Sequence, residues 1–183
     1  MKPTIEEAVK VSFEGEIEAF KPGNVSSYAD GQNMTIQDFF LSAEVSTPIL
    51  CRQESSLGER VLNSVNATRD AVSCNTNLGM LLLFTPIIMA AESGFGTIEE
   101  LRSNLEVTLT SITKSDTNHV FEAIRTANPG GLGSVDEEDV ANNPSSSLIC
   151  AMKLASKRDS VALQYSNNFN EVFKLGFTSI KNF

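Results

Sequence analysis

The sequence has no tryptophan, one histidine and three cysteines among its 183 residues. His119 stands alone, and Cys51, Cys74 and Cys150 are far apart with no CxxC pair, so a zinc centre lacks ligands. An odd number of scattered cysteines makes no disulfide framework, and free thiols suit a reducing cytosol. No long run of one charge sign occurs, and charged residues are only 20%, which argues against a disordered tail. Long apolar runs are missing too. Leu78 to Ala91 is too short to cross a bilayer and contains Thr85 and Pro86. Met1-Lys2-Pro3-Thr4 leads into acidic residues rather than the apolar core of a signal peptide. These absences set the expectation of a cytoplasmic protein with no membrane partner. Strand patterning is equally scarce, with Val107-Thr108-Leu109-Thr110 the one short ambiguity.

What is present is helical punctuation on enough apolar residues, 41%, to build one core. Five sites place an acid three residues after Ser or Thr, the pattern of a capping box: Thr35/Asp38, Ser56/Glu59, Thr97/Glu100, Thr113/Asp116 and Ser134/Glu137. Thr4 caps a further helix, which Lys21-Pro22-Gly23-Asn24 ends. The spacing predicts an all-α fold, a single domain over 1–183. Its helices fall at roughly 4–20, 35–53, 57–73, 77–92, 97–112, 115–127, 136–142 and 145–177, the last breaking near Lys157-Arg158. Leu78 to Ala91, apolar on all sides, is expected to be a central buried helix kinked or broken at Pro86.

The formal charge of −9 and pI of about 4.6 exclude a broad nucleic-acid or anionic-membrane surface. A phosphate-rich ligand would need a local device: a lysine, a helix N-terminus or a divalent cation. Four segments could carry one. Lys21-Pro22-Gly23-Asn24-Val25-Ser26, followed by Asp30 and Asp38, offers a cation, an amide and a glycine that lets backbone approach a ligand. It also reads as a plain helix stop, with Asp38 as the capping partner of Thr35. Asn75-Thr76-Asn77-Leu78-Gly79 opens the most apolar helix, where unpaired N–H groups can hold phosphate or where Asn75 or Thr76 merely caps.

The third segment joins Asp116, Glu122 and Arg125 to Asn128-Pro129-Gly130-Gly131-Leu132-Gly133, a glycine-rich turn that is neither a Walker loop nor a dinucleotide fingerprint. Glu122 and Arg125 could equally be a surface ion pair, and His119 a structural histidine. The fourth is Arg158-Asp159 with Gln164-Tyr165, where an Arg–Asp pair by default anchors packing.

Taken in order, these strings resemble the triphosphoribosyl-dephospho-CoA synthase family. Lys21–Ser26 with Asp38-Phe39-Phe40-Leu41-Ser42-Ala43 is similar to its first motif, and Asn75–Gly79 to its central Asn-Thr motif. Ala123-Ile124-Arg125 through Gly133 resembles the third, and Ala155 to Tyr165 the fourth. Glu16 stands where the family carries an acid. The resemblance implies an all-α fold and transfer of a triphosphoribosyl group from ATP to the 2′-hydroxyl of dephospho-CoA, with adenine released. Nucleotide binding is then expected at Lys21, Gly23, Asn24, Asn75, Thr76, Asn77, Gly79, Arg125, Gly130 and Gly131, and Glu16 or Asp116 is the candidate catalytic carboxylate. Mg²⁺ would be carried by Asp30 or Asp38. ATP and dephospho-CoA, or a related nucleotide, are the implied partners, and a homodimer is compatible with them.

Bacterial relatives commonly carry His-Lys after Asn-Thr, where this chain has Asn77-Leu78, and a histidine in the first loop, where Gln32-Asn33 lie nearby. They also commonly continue beyond the position of Phe183. The alternatives are therefore ribosyl transfer to another acceptor, or a nucleotide-binding helical domain without turnover.

Overall fold

Five helices begin at a Ser or Thr whose third successor is acidic, and each start is closed by that acid. At Thr4, the backbone N–H donates to the Glu7 carboxylate at 2.7 Å while Glu7 N–H donates to Thr4 Oγ1 at 3.2 Å. Such reciprocal bonds satisfy donors that the first turn leaves orphaned. A computed structural model describes residues 3–19, 34–130 and 137–177, together with Ser179. Among these, 71% are helical and no strand occurs, Met34 being a single bridging residue.

In order the helices are α1 (Ile5–Glu18), α2 (Ile36–Leu50), α3 (Leu57–Val72), α4 (Leu78–Glu92), α5 (Ile98–Thr110), α6 (Lys114–Ala127), α7 (Leu148–Ala155) and α8 (Ser160–Ser166), followed by a π-helical turn, Val172–Gly176. Two expectations need correction. Residues 137–142 are not helical: Glu138 lies at φ 51°, its carboxylate is engaged by Ser145, and Asp139 accepts from Ala141 N–H at 2.8 Å. Acidic side chains that bond neighbouring groups offer the backbone an alternative to helix. Ser134, the proposed cap there, lies outside the described residues. The C-terminal segment breaks at Ser156–Asp159 as anticipated, but again at 167–169, where Asn168 and Phe169 take left-handed backbone.

The α4 helix runs through Pro86 unbroken. A proline at this position removes the donor that would have satisfied the carbonyl four residues earlier, Leu82. The Tyr165 hydroxyl fills that gap, donating to the Leu82 carbonyl at 2.7 Å from a fully buried position. α4 touches α1, α2, α3, α5 and α8, so the expected central helix is present. Leu81, Thr85 and Ala90 on it are fully buried. Its Phe84 meets Phe13 of α1 edge-on at 5.0 Å, a favoured aromatic geometry.

The orientation of the helices follows from their polar contacts. Gly58 N–H at the start of α3 donates to Asp116 at the start of α6, and Arg69 near the end of α3 donates to the Thr126 carbonyl near the end of α6. These two helices are parallel and close; a Cβ on Gly58 would come within 2.6 Å of Asp116 Cα. Short connections turn α2 and α4 antiparallel to α3. At one end Arg60 of α3, 1% exposed, forms a forked pair with Glu92 of α4 at 2.9 Å and also donates to the Leu50 carbonyl. The first turn of α1 lies at this Arg60 end, where the charge of its Glu6, with that of Glu92, adds to burial in pushing the Cys51 thiol up. The C-terminus of α1 therefore points to the opposite, Asn75 end, with the starts of α2 and α4 and the ends of α3 and α6.

Candidate functional site

At the Asn75 end, the turn between α3 and α4 is tied to its neighbours by buried side chains. Asn77 is 4% exposed, and its amide nitrogen donates to Thr68 Oγ1 at 3.1 Å and Ser46 Oγ at 3.4 Å. The Thr76 hydroxyl donates to Ser42 Oγ at 2.6 Å, linking the turn to α2. Asn75 Oδ1 accepts from Leu78 N–H at 3.2 Å, so Asn75 satisfies the first orphan donor of α4. Leu81 N–H bonds to the Asn77 carbonyl. Among the described residues, the N–H groups of Gly79 and Met80 have no acceptor in the first turn, and Gly79 is exposed.

Asp38 stands on the first turn of α2, close enough for its charge, after burial, to raise the Cys74 thiol beside the turn. Its carboxylate accepts from the N–H of Thr35 at 2.7 Å and from its hydroxyl at 3.0 Å, both through Oδ2. Glu16, half-buried, lies on the last turn of α1 at the same end. Lys21, Gly23, Asn24, Asp30 and Gly131 lie outside the described residues.

Beside Gly79 opens a cavity of about 340 Å³, walled by α4, the second half of α6, α7 and the start of α8. Its depth is apolar, with Leu82, Phe121, Ile124, Leu148, Ala151 and Met152. Polar groups line the remainder: Asn75, Glu137, Glu138, Arg158 and Asp159. A Cβ at Gly130, which also lines it, would meet no atom within 4 Å, and one at Gly79 only Val161 at 3.9 Å. Side chains there would consume cavity space rather than clash.

Arg125 is outside this lining. Its guanidinium donates to the carbonyls of Val140 at 2.8 Å and Asn142 at 3.0 Å, clamping the segment that carries Glu137 and Glu138. The Glu122–Arg125 ion pair that the spacing also allowed is absent among the described residues. Arg158 and Asp159 do not pair either: Asp159 caps α8 by accepting from Ala162 N–H at 2.7 Å, and the exposed Arg158 side chain has no partner among the described residues.

The expectation that Asp116 shares the cleft is overturned. It sits at the start of α6, about 16 Å of helix from that helix's other end, counted at 1.5 Å per residue. Burial would raise its carboxyl, but bonds from the Ser56 and Thr113 hydroxyls and the N–H groups of Gly58 and Thr113 outweigh it and hold it below the usual aspartate range. Its Oδ2 closes the capping box of α6 with Thr113, and its Oδ1 accepts from Gly58 N–H and so ties the start of α3 to α6. Sequence reading missed Glu137 and Glu138 as cavity residues because it placed them in a helix. The apolar depth carried no signal, since its residues read as ordinary core.

Asn75, Gly79, Gly130 and Arg158, drawn from three of the four motifs, thus meet at one cavity, and Ser42 ties in the first. No curated protein and no solved structure matches the chain. A family model, ATP:dephospho-CoA triphosphoribosyl transferase, matches residues 2–183. The chain belongs to the ATP:dephospho-CoA triphosphoribosyl transferase family.

Proposed function

We propose that the protein transfers the triphosphoribosyl group of ATP to the 2′-hydroxyl of dephospho-CoA and releases adenine. The observation that carries this reading is the family match over essentially the whole chain, combined with convergence of its motifs at the Asn75 end. In the reaction the acceptor's 2′ oxygen bonds to C1′ of the donor ribose, and the C1′–N9 bond breaks. Adenine leaves with the bonding electrons, and the hydroxyl proton passes to a base. Positive charge develops at C1′ as the bond to adenine lengthens, and a carboxylate nearby stabilises it.

With Asp116 at the other end of α6, Glu16 on the last turn of α1 is our candidate for that role or for accepting the hydroxyl proton. The N–H groups of Gly79 and Met80 and the positive end of α4 suit a phosphate of the donor. The described residues hold no cluster of three metal-ligating side chains, so a divalent ion would depend on one or two carboxylates plus substrate phosphates. Asp38 fits that arrangement, because its hydrogen bonds to Thr35 use Oδ2 and leave Oδ1 for a ligand. Bound there, Mg²⁺ would neutralise phosphate charge that an acidic protein otherwise repels.

The test is incubation with ATP and dephospho-CoA, with Mg²⁺ or with chelator, following adenine by chromatography and the product by mass. Adenine and the triphosphoribosylated product should appear in equal amounts, with the rate lost in chelator. Leucine at 78, without the lysine of bacterial relatives, favours the second reading, nucleotide binding without turnover. ATP binding with no adenine would select it.

A further inference from the structure

We infer that the cavity between α4, α6, α7 and α8 receives the pantetheine arm of the acceptor, and not the adenine or triphosphate of the donor. The inference rests on the proposed acceptor and names the part of it that this cavity selects. Three observations point there. First, among the described residues the polar lining carries three carboxylates, Glu137, Glu138 and Asp159, against one cation, Arg158. A triphosphate entering would meet net negative charge in a partly desolvated space. Second, the depth formed by Leu82, Phe121, Leu148 and Met152 presents no side-chain donor or acceptor. An adenine ring seated there would leave its hydrogen-bonding edge unpaired, which is costly. The arm is a flexible chain: its dimethyl-bearing carbon and methylene pairs can lie on this apolar depth while its two amides and its hydroxyl turn to the polar lining at Asn75, Glu137 and Asp159, which a rigid ring cannot do.

Third, about 340 Å³ is at the small end of ligand-pocket volumes, right for a single slender chain. Arg158, exposed and without a partner among the described residues, stands on the lining where the acceptor's diphosphate would remain outside. The arm thereby orients the adenosine half so that its 2′-hydroxyl lies toward the Gly79 turn.

The experiment compares dephospho-CoA with ADP, which keeps the adenosine and diphosphate but lacks the arm. Both are assayed as acceptors at saturating ATP and titrated calorimetrically, so that binding is read even without turnover. Wild type should prefer dephospho-CoA by at least about tenfold in Kd, roughly 1.4 kcal/mol. Ala155→Phe, which fills the cavity from the end of α7, should abolish that preference by weakening dephospho-CoA alone. Ala151→Leu serves as a second, milder filling variant should the first fail to fold, with circular dichroism melting as the check. Equal weakening of both acceptors, an unchanged preference, or a raised KM for ATP alone would overturn the inference. Absence of adenine release with the arm preference intact would reject the proposed reaction and leave the cavity assignment standing.

Discussion

Asp116 illustrates how a carboxylate can look catalytic in a sequence and be spent on structure. It is 4% exposed and accepts from Gly58 N–H at 2.9 Å and Thr113 Oγ1 at 2.6 Å. Asparagine in its place keeps the shape but cannot accept at both ends, leaving a buried donor unpaired. Asp116→Asn should therefore lower stability by about 1–3 kcal/mol while leaving the affinity for ATP unchanged. Because the folded carboxyl titrates below its unfolded value, the stabilisation is fully present above the ordinary aspartate pKa near 3.9 and disappears as pH falls through the folded pKa. Urea unfolding of both proteins should show a constant gap from pH 7 to about 5 that closes below about 4. A loss of nucleotide affinity with unchanged stability would return Asp116 to the site.

Among the elements, α4 shows how composition and tertiary contact divide the work. Proline inside a helix removes a hydrogen bond and usually breaks or kinks it. Here the cost is contained because Tyr165, from α8, donates to the freed Leu82 carbonyl. Burial pushes the Tyr165 phenol well above its usual pKa, so it remains a donor across the working range. Tyr165→Phe preserves the ring and its contact with Phe169 at 5.3 Å but orphans that carbonyl. The variant should lose about 1–3 kcal/mol in chemical denaturation, with faster amide exchange around Pro86. Unaltered exchange there would mean that the helix tolerates the proline without help. The 137–142 segment shows the converse: acids spaced for a helix start form a turn instead, held from outside by Arg125.

Over the whole molecule the two ends have different tasks. The Arg60 end is closed by a buried forked ion pair, with two further guanidinium protons donated to the Ser55 and Leu50 carbonyls. Among the described residues, the Asn75 end keeps an open cavity, backbone donors without partners at Gly79 and Met80, and Arg158 without a partner. Removing one partner of a buried pair leaves the other uncompensated, so Arg60→Leu should cost about 3–5 kcal/mol. Measured below its lowered melting point, the variant should retain wild-type affinity for ATP. A matching loss of affinity would show that the two ends are coupled.

The all-α class, five of the capped helix starts and the apolar central helix were legible in the sequence, because caps and hydrophobic periodicity act over three or four residues. The sequence also carried the family resemblance, since the motif strings are local. Only the tertiary structure decided which motifs meet. The α3 and α6 helices run parallel, with Gly58 allowing their starts to approach, and that arrangement sends Asp116 to one end and Gly130 to the other. Likewise, the residues of the cavity read as core because burial is a property of packing: Leu82 and Phe121 differ from other apolar residues only in that the packed helices leave space beside them.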